Sequence, residues 1–246
     1  MEFVKAQKFV ARVSDKYFLA ENERYLFVKL ELVTPDIISF VAGQYVSIKV
    51  NEQGMRRSYS VVSSPDDDHG VNLVAAMIPE GLGTGYLRKL KPGDEVEVLG
   101  PLGRFVVNET SPEVAQSKLL FVATGSGIAP IWSMINDLLI NKRESRQVRL
   151  HWGMRSEQEL FWVDNWERLA EAHPNFVFDI VLSQPSEEWE LCNGHVQDCL
   201  KRDFVKEGLR EWEGYVCGNP EMVDEVTALL PTLGMNPANI YHEKFT

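Results

Sequence analysis

The rhythm of the chain changes once, and that change limits the folds open to it. Up to about residue 107 the sequence is a string of short strand-like runs: "KFVARVSDKYFL", "RYLFVKLEL", "GQYVSIKV", "RSYSVVSS", "VNLVAAMI" and "DEVEVLGP". Between them stand "VTPD", "NEQG", "SPDDDHG" and "KPGD", rich in residues that supply turn conformations. One helical piece, "GTGYLRKL", interrupts the series. Six or so strands with one short helix imply a small antiparallel Greek-key β-barrel. From Lys118 onward strand and helix alternate. "KLLFVAT" is a continuous apolar run, the pattern of a strand buried on both faces of a parallel sheet. Helix "APIWSMINDLLI", strand "VRLHWG", helix "VDNWERLAEAH", strand "FVFDIVLS", helix "VQDCLKRDF", strand "YVCG", helix "PEMVDEVTALLPTLG" and strand "NIYHEKF" follow. That alternation implies a doubly wound α/β domain. The polar, proline-containing stretch "VVNETSPEVAQS" places the boundary between residues 112 and 113. The expected domains are therefore 1–112 and 113–246.

Composition narrows the function. Apolar residues make up 44% of the 246-residue chain and charged residues 25%, as in globular proteins with a core. A net charge of −11 argues against nucleic acid as a general partner, because phosphate binding needs clustered basic surface. The three cysteines, Cys192, Cys199 and Cys217, form no disulfide framework and no zinc or iron–sulfur pattern. No metal site is expected, and a reduced, cytoplasmic setting fits. The start of the chain lacks a signal-peptide core, and no apolar run is long enough to span a membrane. The oligomeric state stays open, with a monomer compatible.

Two glycine-rich turns carry the chemistry. In "FVATGSGIAPI" a strand ends at Thr124, Gly125 and Gly127 flank Ser126, and a helix begins. Glycines let a backbone approach a phosphate, and a helix N-terminus offers unpaired N–H groups with partial positive charge. The run is not the full G-x-G-x-x-G fingerprint and has no Walker lysine, so a plain tight strand-to-helix turn also fits. In "GLGTGYL", Gly81, Gly83 and Gly85 fall within five residues around Thr84, more than a turn alone requires. Two such turns, one per domain, imply two nucleotide-like ligands meeting between the domains. The strand "RRSYSVVSSP" adds fixed charge and an aromatic face. Read alone, Arg57 fits a solvated edge charge, Tyr59 a core aromatic and Cys217 a small buried hydrophobe.

Taken together, "RSYS", "GLGTGYL", "GPLGRF", "ATGSGIAP", "CGNP" and "EKF" appear in an order that resembles the ferredoxin–NADP reductase family over nearly the whole chain. The resemblance implies an FAD-binding barrel followed by an NAD(P)-binding domain, with FAD favoured over FMN. It implies that Arg57 pairs with the flavin pyrophosphate, as a guanidinium fork suits phosphate oxygens. By the same analogy Tyr59 lies against the flavin ring, Ser60 sits near its reactive edge with Val61 beside it, and Gly83, Thr84 and adjacent amides receive phosphate. Thr124, Gly125, Ser126 and Gly127 would cradle the NAD(P) pyrophosphate, and Cys217 and Gly218 would position the nicotinamide. Glu243 would lie near the nicotinamide amide or flavin edge, and Phe245 would cover the flavin face opposite Tyr59. Cys192 and Cys199 match no landmark.

The implied reaction is hydride transfer between nicotinamide C4 and flavin N5, with single electrons exchanged with a ferredoxin- or flavodoxin-like carrier. A free-flavin reductase or the reductase component of an oxygenase is the alternative. A non-enzymatic nucleotide-binding regulatory subunit is a rival of another class. Lacking a C-x4-C-x2-C run, the chain is expected to carry no fused plant-type iron–sulfur domain. If a ferredoxin is the acceptor, Arg56, Arg57, Arg88 and Lys89 are candidates for a local basic surface. Acidic Glu187 and Glu188 after Gln184 would repel a 2′-phosphate, whereas Arg155 would attract one; NADH, or relaxed specificity, is the expectation.

Overall fold

The computed structural model describes residues 3–108 and 117–245. The expected domain boundary at 112/113 lies outside the described residues.

The first part forms β1 (Gln7–Phe18), β2 (Tyr25–Thr34), β3 (Tyr45–Lys49), β4 (Arg56–Ser60), β5 (Gly70–Ala76), α1 (Leu82–Lys89) and β6 (Glu95–Leu102). The strands pair antiparallel in the order β4-β3-β6-β1-β2-β5. Alternate residues point inward, as the two-residue period of a strand demands: Phe9, Ala11 and Val13 on β1, and Leu26, Val28 and Leu30 on β2 are all buried. A bridge between Val61 and Leu73 brings the ends of the sheet together, so the barrel is nearly closed. Leu87 of α1 is fully buried against this core. At the end of α1 the Lys16 ammonium donates to the carbonyls of Leu87, Arg88 and Leu90, satisfying acceptors that a helix end leaves unpaired.

The second part forms β7 (Lys118–Thr124), α2 (Ile128–Asn136), β8 (Val148–Met154), α3 (Val163–Ala172), β9 (Phe176–Leu182), β10 (Cys192–Asn193), α4 (Val196–Phe204), β11 (Trp212–Gly218), α5 (Pro220–Thr232) and β12 (Ile240–Lys244). All pairings are parallel, in the order β10-β9-β8-β7-β11-β12. Central β7 is buried on both faces: Leu119, Phe121 and Ala123 pack into one core cluster, and Leu120 and Val122 into the other. The strand order reverses direction between β7 and β11, so a crevice opens at their carboxyl ends.

The domains share one of these cores. Tyr25, Ala42, Val62, Val74, Phe105 and Val107 from the barrel pack into the cluster that holds α2 and Phe121. Polar contacts reinforce the docking: Ser133 Oγ donates to Ser63 O at 2.9 Å, and Arg24 faces Glu159 at 3.4 Å. The Tyr25 and Phe161 rings lie 5.0 Å apart.

Candidate functional site: a cleft between the domains

Among the described residues, edge strand β4 pairs only with β3, with Tyr59 opposite Val46 and Ser60 opposite Tyr45. Arg57, Ser58, Tyr59 and Ser60 all line a cleft of ≈ 1370 Å³ between the domains. Arg57 is exposed, and its Nη1 donates to its neighbour's carbonyl at 2.8 Å. Among the described residues no carboxylate pairs with it. Arg56 is different. Its guanidinium is bound to Glu97 at 2.6 Å and to the Ser47 carbonyl at 2.6 Å. Arg88 is paired with Glu23 at 2.8 Å. The local basic surface expected from the sequence is therefore weaker than four free charges, because two of them are neutralised within the barrel. Tyr59 is half-buried against the barrel core; burial pushes its hydroxyl up to about 12, opposed by the Arg57 charge. Val61 is fully buried in the barrel core and does not line the cleft; its N–H donates to Gln44 O.

The first turn of α1 lies over β4. A Cβ on Gly83 would stand 2.4 Å from the Tyr59 hydroxyl and 2.8 Å from Arg57 Cγ, so only glycine permits this approach. Thr84 is turned inward: its Oγ1 lies 2.9 Å from Ile78 O and 3.0 Å from Gly81 O, with the hydroxyl donating. Its hydrogen is thus committed to shaping the loop. What the turn offers an anion is the set of backbone N–H groups that open the helix.

The second turn is built from the ends of β7 and β11. Thr124 is extended, Gly125 has φ 54°, and Gly125–Gly127 form one 3-10 turn before α2 begins. A Cβ on Gly127 would meet the Cys217 carbonyl oxygen at 2.4 Å and Gly218 Cα at 2.6 Å. Gly218 has no room either, since its Cβ would lie 2.3 Å from Thr124 Oγ1. That same Oγ1 accepts from Asn219 N at 3.1 Å, and the Asn219 side chain caps α5. Two strand ends and a helix start thus converge with space for no side chain. Thr124, Gly125, Ser126, Gly127 and Gly218 line the cleft. Arg155 lines it too, with its Nε bonded to Gln184 Oε1 at 3.0 Å.

The tail completes the wall. Cys217 on β11 pairs in register with Glu243 on β12 and Ala123 on β7. Its side chain is fully buried and does not line the cleft, although Gly218 and Glu243 do. Burial, then the Glu243 charge, push this thiol well above its ordinary range. Among the described residues Glu243 Oε2 is buried without a hydrogen-bond partner, and burial pushes the carboxyl up to about 6. Phe245 is half-buried at the cleft and anchored by its N–H to Gly218 O at 2.9 Å.

Arg24, Tyr25 and Glu159 also line the cleft, although no motif in the sequence singles them out. Nothing in the β1–β2 turn marks it as a site; it takes part because domain docking carries it beside Gly125, whose Cβ position is 3.0 Å from the Tyr25 hydroxyl. Elsewhere, ligand atoms of His151, Asp179 and Asp203 come within 4.8 Å of one another. Arg149 bridges both carboxylates at 3.2 and 2.7 Å and Arg202 faces Asp203 at 3.3 Å, so two guanidinium groups already balance their charge.

A family described as Oxidoreductase FAD-binding domain matches residues 10–107, and one described as Oxidoreductase NAD-binding domain matches residues 121–228. The chain is 33% identical over 216 residues to a component of the Na(+)-translocating NADH-quinone reductase of Neisseria gonorrhoeae, covering 82% of this chain and 51% of that protein. It is 33% identical over 230 residues to the phenol 2-monooxygenase reductase component DmpP of Pseudomonas sp. strain CF600, covering 92% of this chain and 62% of that protein. The chain thus spans roughly half to three-fifths of these relatives. Among solved structures, the Amycolatopsis cytochrome P450 reductase GcoB superposes with a TM-score of 0.88 at 31% identity, covering 98% of this chain and 70% of that one. No helix among the described residues is long and apolar enough to cross a membrane.

Proposed function

From the premise that the chain belongs to the ferredoxin–NADP reductase family, as an NAD(P)H-dependent flavin oxidoreductase with FAD- and NAD-binding domains, we propose how its own residues divide the work. The observation that supports this division most is that both glycine turns open on one cleft. At ≈ 1370 Å³ the cleft exceeds what one small ligand fills. A pyrophosphate suits each turn because each opens a helix, with unpaired backbone N–H groups, on the cleft wall.

In this reading the Arg57 fork and the α1 amides hold the flavin pyrophosphate. Tyr59, kept neutral by burial, excludes water from one ring face, and Phe245 covers the other. Ser60 offers a hydroxyl near the ring edge, and buried Val61 fixes the end of β4. Thr124 to Gly127 receive the nicotinamide nucleotide's pyrophosphate beside Gly218, and Arg155 faces its ribose. Cys217, being buried, acts as a positioning residue beneath the cleft floor. Glu243 presents a carboxyl that holds a proton below about pH 6. The two groups, held by these residues, would supply the redox chemistry: hydride exchange between nicotinamide C4 and flavin N5, with electrons passed on singly. Holding the two rings in register is a proximity effect that lowers the barrier without any acid–base triad. The proposed domain boundary at 112/113 is supported by its lying between the two matched family ranges.

NADH is the proposed donor. Arg155 is already engaged by Gln184, and Glu221 and Glu225 line the same cleft. The proposed acceptor is a ferredoxin- or flavodoxin-type one-electron carrier. A second reading, the reductase component of an oxygenase, is favoured by the 33% match to such a component. The test is to purify the protein, identify bound flavin, and compare NADH with NADPH using ferredoxin, flavodoxin and free flavin as acceptors. Bound FAD and a higher kcat/KM with NADH are expected. A protein turning over free flavin alone, without retaining FAD, would overturn the division of residues.

A further inference from the structure

Cys192 and Cys199 lie on opposite sides of a chain reversal, Cys192 in β10 and Cys199 in α4. The fold nonetheless brings their sulfurs to one point. Arg202, a turn further along α4, donates from a single nitrogen, Nη2, to Cys192 Sγ at 2.6 Å and to Cys199 Sγ at 2.9 Å. The two sulfurs are therefore no further apart than the sum of those distances. Cys192 is half-buried and Cys199 is buried, so one thiol is reachable and the other stands behind it.

We propose that Cys192 and Cys199 are a hydroperoxide-reactive thiol pair that closes to an intrachain disulfide. Cys192 is the attacked residue. Its thiol gives up its proton as the sulfur bonds to the outer oxygen of a hydroperoxide; the O–O bond breaks, and the alcohol or water leaves with that proton. The sulfenic acid so formed is then attacked by the Cys199 sulfur: the S–S bond forms, the S–O bond breaks, and water leaves with the Cys199 proton. Two thiols are oxidised by two electrons and one hydroperoxide is reduced. The Arg202 guanidinium contacts both sulfurs from one nitrogen and so holds them together for the exchange. It also disfavours a bound metal cation between the two sulfurs. The pair's asymmetry fits these roles: burial, followed by the contact with Cys192, pushes the Cys199 thiol up to about 12, so it waits protonated. Cys217 is the internal contrast, fully buried, with the Glu243 carboxylate rather than a guanidinium as its charged neighbour.

The chain between the two sulfurs carries Gly194, His195, Val196 and Gln197, all of which line the interdomain cleft. The ring would close around this lip of the cleft.

The test treats the whole purified protein with equimolar hydrogen peroxide, alkylates remaining thiols, and maps peptides without reductant. The expected result is a Cys192–Cys199 linked peptide, an alkylated Cys217, and recovery of both thiols with dithiothreitol. In Cys199→Ser the disulfide cannot form, and dimedone should label Cys192. In Arg202→Met, at an exposed side chain, thiol loss should slow by about tenfold. Separate alkylation of Cys192 and Cys199 after peroxide treatment, or faster loss of Cys217, would overturn the pair. Oxidation of Arg202→Met at the parent rate would overturn the role of the guanidinium.

Discussion

Gly83 and Gly127 each stand where a helix begins against a strand, and each leaves out a Cβ for which there is no place. What occupies that place differs. At Gly83 it is the atoms of two side chains, the Tyr59 hydroxyl at 2.4 Å and Arg57 Cγ at 2.8 Å. At Gly127 it is backbone, the Cys217 carbonyl oxygen at 2.4 Å with Gly218 Cα at 2.6 Å. Side chains can rotate away, whereas a strand end in a six-stranded sheet cannot move without its neighbours. The barrel's turn is therefore adjustable and tied to the residues proposed to hold flavin. The sheet's turn is locked into the fold itself.

Gly127→Ala should accordingly have the largest effect. Overpacking against backbone is expected to cost about 3 kcal/mol, visible as a clear drop in melting temperature together with weaker nucleotide binding. A variant that melts with the parent would refute the locked turn. Arg57→Ala comes next. It should fold normally but lose flavin during purification, with affinity down by about tenfold or more from the missing charge-assisted bonds. Gly83→Ala should imitate it, since the new methyl pushes Arg57 and Tyr59 aside. Normal flavin content in both would remove this role from Arg57.

Glu243 tests a smaller effect whose sign follows from burial. Its carboxyl is raised from an ordinary 4.5 to about 6, so the folded state holds the proton more tightly than the unfolded chain. The stability it contributes is complete below the unfolded value and is lost as pH rises through the folded one. Glu243→Gln, which cannot ionise, should be more stable than the parent by about 1 kcal/mol above about pH 7, after allowance for solvent screening. The difference should vanish below pH 4.5 in melting curves. A variant less stable than the parent at neutral pH would show that Glu243 is paired rather than merely buried. Gly85→Ala should do least. A Cβ there meets nothing, so the helix gains under about 1 kcal/mol and flavin content stays unchanged.

The same contrast explains what the sequence made legible. Alternation in "KFVARVSDKYFL" and "RYLFVKLEL" marks strands because one face is buried, and "KLLFVAT" marks a central strand because both faces are. The end of the second helix was less legible. "APIWSMINDLLI" reads as one continuous helix, yet from Asp137 the backbone changes to a π turn, Asp137–Asn141, closed by Lys142 N to Asp137 O at 2.9 Å. Apolar side chains at 138 and 139 are buried either way, so the backbone's change of period left no mark. β10 is only two residues long and carries no pattern.

In the site, Arg57, Tyr59 and the glycines stood out because their residue types are unusual for a strand or a turn. That Cys217 stays off the cleft wall did not, because it depends on β7 and β12 closing over β11. Tyr25 and Glu159 join the cleft through domain docking, and Cys192 meets Cys199 through a chain reversal. Contacts made across the fold leave no local periodicity to read.

In the proposed arrangement, one cleft lets a dinucleotide at the sheet's turn reach a flavin at the barrel's turn. Anaerobic titration of the flavin-loaded protein with NADH tests it most directly. Flavin absorbance should bleach in proportion to added NADH, with an endpoint at equal amounts. Saturable NADH binding that leaves the bound flavin oxidised would contradict the account.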